Sequence, residues 1–303
     1  MEPTAISLRA TGRSRRRLLV NKAAEGGAVL AAVLAIGVLA VVVWSVGSRG
    51  VGAINLDFFL KGPSSDFFGG KGGIAPALVG SLLLVGIATA IALPVGVLTA
   101  LFVSEFAPRR AAEQVRLWLD VLNGFPSIVI GIFVFTLAVK TKVPVLGVGH
   151  HQSAVAGGFA LSIIMLPLVA RSTMEVLRLV PNHLREASYA LGVSKWQTVL
   201  RVVLPTSLGG ILTGTTLAVA RAAGETAPLL FTCAIAGQIV DWNPTHSVQS
   251  IPLTIFEYSE SADPGLHQQA WAAAFVLIVF VLVTSLAARL LLERSRRKLG
   301  LAR

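Results

Sequence analysis

Apolar residues in this chain come in long unbroken runs, without the period of 2 or 3.6 that marks a half-buried strand or helix. Positions 26–47 hold 22 residues with no charged side chain. A bilayer core about 30 Å thick needs about 20 such residues in a helix, so this run predicts a membrane span. A secretory leader has an apolar core of about 7–15 residues, which is shorter than this one. Further apolar stretches cover 74–103, 117–139, 154–170, 206–237 and 271–292. The stretches 74–103 and 206–237 exceed one crossing. They contain Pro94 and Gly96, and Gly209, Gly210 and Pro228, residues that predict tilt, a kink or a break. The pattern is that of an all-α polytopic membrane protein with six transmembrane helices, which puts both termini on one side.

The basic residues say which side. Lys and Arg concentrate on the cytoplasmic face of membrane proteins. Alternating the connections places 20 of the 26 Lys and Arg on the face that holds both termini. The opposite face receives Arg49, Lys61, Lys71, Lys140 and Lys142 together with six acids. Both termini are therefore expected in the cytoplasm. The expected organisation is a basic tail over 1–25, a first span over 26–47, an outer loop over 48–73, a transmembrane domain over 74–292 and a basic tail over 293–303. Composition agrees: 54% of residues are hydrophobic, 14% are charged and the mean hydropathy is +0.75. Soluble domains carry about 25% charged residues, so a disordered chain is excluded and a soluble enzyme disfavoured. The net charge of +11 reads as a topology signal, not as a nucleic-acid footprint.

Several chemistries fall away. The single cysteine, Cys233, excludes an internal disulfide and a multi-cysteine zinc site. The five histidines are scattered, and the pair His150-His151 is too little for a metal site. Gly69-Gly70-Lys71-Gly72-Gly73 lacks the Ser or Thr and the GxxxxGK[ST] spacing of a phosphate loop. No metal site, no nucleotide-binding motif and no nucleophile–base pair is legible. The expectation is a non-enzymatic chain with no cofactor.

Two segments carry candidate chemistry. Over 180–205, Pro181 and Asn182 can open a helix, Gly192 can break it and Ser194 can cap a second one. Such a hairpin, with small residues at its tip, suits close approach by another protein; an ordinary amphipathic loop is the alternative. In the fifth stretch, Arg221 and Glu225 stand four apart, so on a helix they can pair. A charge near the bilayer centre costs about 2.5–3.5 kcal/mol, which keeps such residues off the lipid. They are either a buried pair holding helices in register or one wall of an anion path, since arginine's planar fork suits an oxyanion. Pro126 and Ser127 in the third stretch likewise read as a kink or as path lining. Asp120 and the tryptophans Trp44, Trp118 and Trp271 read as interfacial anchors.

The run from Glu186 to Pro205 resembles the EAA–x3–G–x9–I–x–LP loop of bacterial ABC-importer permeases, with Ser188 for the second Ala and Val202 for Ile. Ala220 to Leu230, with Arg221-Ala222-Ala223-Gly224-Glu225-Thr226-Ala227-Pro228-Leu229, looks like the RAxGETAPL signature of PstA-type permeases of the phosphate importer. Pro126-Ser127-Ile128-Val129-Ile130-Gly131 is similar to that family's PSIVxG segment, and Leu93 to Glu105 and Ile251 to Phe256 fit as well. The resemblance covers about 74–292.

It implies an ABC-importer type I permease fold and a role as one of two different permeases of an ATP-driven phosphate importer in the bacterial inner membrane. Glu186, Ala187, Ser188, Gly192, Leu204 and Pro205 would form the ATPase-coupling loop. Arg221, Glu225, Thr226, Pro126 and Ser127 would line the substrate pathway. Implied partners are a PstC-like sister permease, two PstB-like ATPase subunits that use the ATP, and a PstS-like phosphate-binding protein outside. Rival readings are another oxyanion such as sulfate or molybdate, or an ATP-independent anion carrier or channel.

Overall fold

A computed structural model describes residues 13–63, 72–140, 152–233 and 239–298. Residues 69–71 of the glycine-rich loop, His150-His151, the end of the fifth stretch at 234–237 and the extreme termini lie outside the described residues. Among those described, every regular element is helical. The helix α1 (Arg13–Gly50) is, up to Ser48, a unit of its own, and the second unit starts at Arg49. Its central run is apolar on every side, which suits a helix surrounded by lipid or other apolar helices. The helix starts at Arg13, so residues 13–25 of the basic tail continue it; nothing in Arg15-Arg16-Arg17-Leu18-Leu19 breaks a helix.

In the second unit, a short α2 (Leu56–Leu60) is capped by Asn55, whose side chain accepts from Phe58 N at 2.8 Å. It leads to α3 (Ala75–Leu101), which ends in a π-helical turn, Phe102–Phe106. Next come α4 (Arg109–Gly124) and α5 (Ser127–Phe135). The helix α6 (Ala154–Arg178) follows, then the hairpin α7 (Asn182–Ala190) and α8 (Lys195–Thr198). A π turn, Val199–Val203, joins α8 to α9 (Leu204–Ala222). A short α10 (Leu229–Thr232), α11 (Ile251–Glu260) and the long α12 (Pro264–Lys298) complete the order.

Five helices are long and apolar enough to cross a bilayer, and a sixth crossing exists only if the bent pair α4–α5 is counted as one. The third stretch is thus not one straight helix: its two halves meet at 94°. Pro126 cannot donate an amide, and its ring forces the preceding residue out of the helical region. Phe125 accordingly has ψ 134° and Pro126 ψ 130°, two extended residues that turn the chain. The fifth stretch also stops short, because α9 ends at Ala222. The fourth runs on, from Ala154 to Arg178, through charges that a hydropathy window treats as its end.

The centre of this unit is the pair α3 and α6. Leu84, Ala88 and Ala92 of α3 pack on Leu161, Met165 and Val169 of α6, with Ala218, Ala222 and Leu229 joining from α9 and α10. Small residues set the separation, since a Cβ on Gly96 would fall 2.9 Å from Val169 Cγ1. Dense contact through small residues is how helices associate where lipid supplies no hydrophobic drive. A second buried cluster, including Leu101, Val103, Leu177, Val180, Val199 and Val203, sits under the α7–α8 hairpin.

Candidate functional site

The Arg221–Glu225 pair forms at the end of α9 and not along its face. Arg221 is in the last helical turn, where a cation interacts favourably with the helix dipole. The chain then leaves the helix through tight turns, with Gly224 N bonded to Arg221 O at 3.1 Å and Glu225 N to Ala222 O at 3.1 Å. This brings Glu225 Oε1 to 3.9 Å from Arg221 Nε, a loose ion pair. The carboxylate side chain is 19% exposed and the guanidinium side chain 56%. Thr226 serves the backbone, its carbonyl accepting from Leu229 N and Leu230 N at 3.1 and 3.2 Å to start α10.

The bend at Phe125-Pro126 faces this turn. Asn123, Ser127 and Ile130 from the α4–α5 break, with Arg221 and Glu225, line a cavity of about 90 Å³, room for about three waters. The contact is direct: a Cβ on Gly131 would stand 2.6 Å from Pro228 Cα. Ser127 lines the cavity at the start of α5, and Pro126, which is not among the lining residues, makes the bend beside it. Asn123 adds an amide that no sequence pattern singled out.

A second cavity of about 480 Å³ is open on one side and shares Arg221 with the first. Its wall includes Arg171 and Ser172 of α6, Gly214 of α9 and Ser285 of α12. Arg171, assigned by sequence to a connection, lies inside α6 and pairs with Asp120 of α4. Asp120 thus has a guanidinium partner. Arg171 and Arg221 both line the second cavity, and each has a carboxylate partner, Asp120 and Glu225. Among the described residues, no group of three or more His, Cys, Asp or Glu could hold a metal ion.

The hairpin of residues 180–205 is built as its sequence suggests, except at the start of α7. Pro181 is the residue before α7, and Asn182 is its first helical residue. Gly192 has φ +75°, a conformation that costs other L-residues about 1–2 kcal/mol. Ser194 and Gln197 form a capping box on α8. Ser188, the departure from the motif's second alanine, is buried, and its Oγ lies 2.8 Å from Thr198 Oγ1, joining α7 to α8. Glu186, Ala187 and Gly192 are exposed. So are Leu191 and Trp196, a small apolar tip around the glycine turn. Leu204 and Pro205 open α9 directly after the π turn, where a missing proline amide is tolerated.

Comparison with known proteins agrees with these features. Residues 92–297 match the family described as binding-protein-dependent transport system inner membrane component. The phosphate transport system permease protein PstA of Haemophilus influenzae is 37% identical over 277 residues, 91% of this chain and 95% of that protein. That of Xylella fastidiosa strain Temecula1 is 39% identical over 283 residues, 93% and 96% of the two chains. PstA 1 of Mycobacterium tuberculosis strain H37Rv is 37% identical, covering 94% and 92%. In fold, the chain resembles the MetNI methionine ABC transporter in an inward-facing conformation, with a TM-score of 0.56 at 18% identity over 74% of this chain and 94% of that one. It also resembles a bacterial alginate ABC transporter in complex with its alginate pentasaccharide-bound periplasmic protein, with a TM-score of 0.56 at 13% identity over 91% and 95%. An all-helical, multi-pass chain with this match belongs to the binding-protein-dependent transport system inner membrane component family, with the PstA-type permeases as its relatives.

Proposed function

We propose that this chain is one of the two different permease subunits of an ATP-driven inorganic phosphate importer, and that Arg221 gives the anion a brief station on its way across the membrane. The observation that carries the reading is the convergence of Arg221, Glu225, Ser127 and Asn123 on one polar cavity, in a chain so similar to PstA permeases over most of its length. A guanidinium can donate two parallel bonds to a phosphate. Glu225, at 3.9 Å, competes for the same donors and keeps the anion from being held too tightly. Arg221 is exposed on this chain, as expected of a group that faces a path shared with a sister permease.

Transport follows alternating access. Both termini and the α7–α8 hairpin lie in the cytoplasm, where Glu186, Ala187 and the glycine turn at Gly192 dock into a partner ATPase. That partner binds and hydrolyses ATP; this chain holds no nucleotide and no cofactor. Closure of two ATPase subunits displaces the hairpins and opens the path outward. A phosphate-binding protein on the outer loops delivers the anion, and hydrolysis turns the path inward. Support for the docking role comes from the exposed tip and the fixed angle between α7 and α8.

The test is uptake of labelled phosphate into proteoliposomes holding this chain, its sister permease and the ATPase, with binding protein outside and ATP inside. The reading expects uptake that needs ATP and is not suppressed by excess sulfate or molybdate. Suppression by either would reassign the cargo to another oxyanion, and uptake without ATP or the ATPase would indicate a carrier or channel.

A further inference from the structure

Arg185, next to the motif glutamate Glu186, is 16% exposed and points away from the docking tip. All five of its N–H donors have acceptors. Nε and Nη2 donate to Glu105 Oε1 at 3.3 and 2.8 Å. Nη2 also donates to Leu177 O at 3.1 Å, and Nη1 to Val180 O at 2.7 Å and Asn182 Oδ1 at 3.3 Å. A guanidinium has no more donors to give. One side chain therefore fastens the end of α6, the start of α7 and, 80 residues away in sequence, Glu105 in the π turn that ends α3. Glu105 is 6% exposed.

We propose that the Glu105–Arg185 pair is the strut that carries movement of the α7–α8 hairpin into α3, making both residues positioning residues for coupling. The inference rests on the hairpin docking an ATPase, as proposed above. Capping the end of α6 needs only the bonds to Leu177 and Val180. The bonds to Glu105 do something else, since they tie the hairpin to a different span. A buried ion pair is an inefficient source of stability, because desolvation offsets most of the attraction, but it fixes one relative position. The grip is also doubled: Lys195 Nζ of α8 stands 5.4 Å from the centre of the Phe106 ring, so each helix of the hairpin holds a neighbouring residue of the same turn. That turn is π-helical, a rare local form concentrated at functional sites. Beneath it, Leu101, Val103, Leu177, Val199 and Val203 pack in one buried cluster, so the hairpin base and the end of α3 have no soft layer between them. A push on the hairpin reaches α3, and through its close contact with α6 the helices around Arg221.

The four-component importer in proteoliposomes tests this, with binding-protein-stimulated ATP hydrolysis and phosphate uptake measured together. Glu105→Gln keeps the shape and removes the charge. It should assemble and hydrolyse ATP while uptake per ATP falls by about tenfold, within the usual range of coupling between sites. A second variant, Glu105→Cys with Arg185→Cys, replaces the pair with a bridge made by a reversible bifunctional thiol reagent; the only native thiol, Cys233, is buried. Bridging should restore uptake per ATP, and reductant should remove it again. Unchanged uptake per ATP in Glu105→Gln, or a bridged form no better coupled than the unbridged one, overturns the strut. If the wild-type assembly itself shows no ATP-driven uptake, the importer reading falls first and the strut with it.

Discussion

Gly131 of α5 lies against Pro228, the residue before α10, so closely that an added methyl would stand 2.6 Å from the proline Cα and 2.9 Å from its carbonyl oxygen. Two segments nearly a hundred residues apart, the bend after Pro126 and the turn after Glu225, thereby form opposite walls of one small cavity. Both contact atoms belong to backbone, so no side-chain rotation can make room. Gly131→Ala should cost about 1–3 kcal/mol, as overpacking does, and move Ser127 away from Glu225. Thermal unfolding in detergent measures the first effect, and uptake by the purified assembly measures the second.

Glu225 is the counter-charge that an arriving anion must displace. Glu225→Gln should therefore hold phosphate longer, lowering both the KM for uptake and the maximal rate. A residue serving only as a brace would instead reduce the amount of assembled protein, with KM unchanged. Uptake kinetics normalised to assembled complex separate the two.

Gly192 at φ +75° sets the angle between α7 and α8. Gly192→Ala should cost about 1–2 kcal/mol, the usual penalty of a left-handed residue with a Cβ, and weaken ATPase binding. Ser188→Ala should be milder, since Thr198 Oγ1 retains its bond to Ser194 O at 3.1 Å. Co-purification of the ATPase with each variant checks the ranking.

A pH effect is expected outside the spans, at Glu257 in α11. Burial raises its pKa above the ordinary 4.5, partly offset by the bond from Gln249 Nε2 at 2.9 Å. A raised folded-state value means that the protonated form is the one folding favours. Its contribution is complete below the ordinary value and is lost as pH rises through the raised one. Glu257→Gln, which keeps an acceptor for Gln249, should therefore be more stable than wild type near pH 7 and equal to it near pH 4. Unfolding midpoints at the two pH values check this.

The sequence revealed the spans because bilayer thickness imposes a length that uninterrupted apolar runs record. It revealed the hairpin and the Arg221–Glu225 pair because glycine, proline and intramembrane charge are each costly unless placed for a reason, but it put the pair along a helix face, whereas α9 ends at Ala222 and the chain turns before Glu225. It hid whatever depends on pairing between distant positions. Arg171 follows the apolar run 154–170, where hydropathy places a connection, although α6 continues to Arg178 and Arg171 pairs with Asp120. Glu105 and Arg185 share no local pattern at all. Phe125-Pro126 was legible as a kink, but its 94° depends on two successive extended residues. Ser188 stands where the motif has its second alanine, and only packing shows its hydroxyl joined to Thr198.

Whether Arg221 handles the anion is decided by ATP-driven phosphate uptake by the reconstituted importer with Arg221→Gln beside wild type, after verifying that the variant assembles and that its ATPase still responds to the binding protein. Uptake is expected to be lost in Arg221→Gln while assembly and the ATPase response persist. Uptake at the wild-type rate in Arg221→Gln would contradict it and leave the Arg221–Glu225 pair as a structural brace.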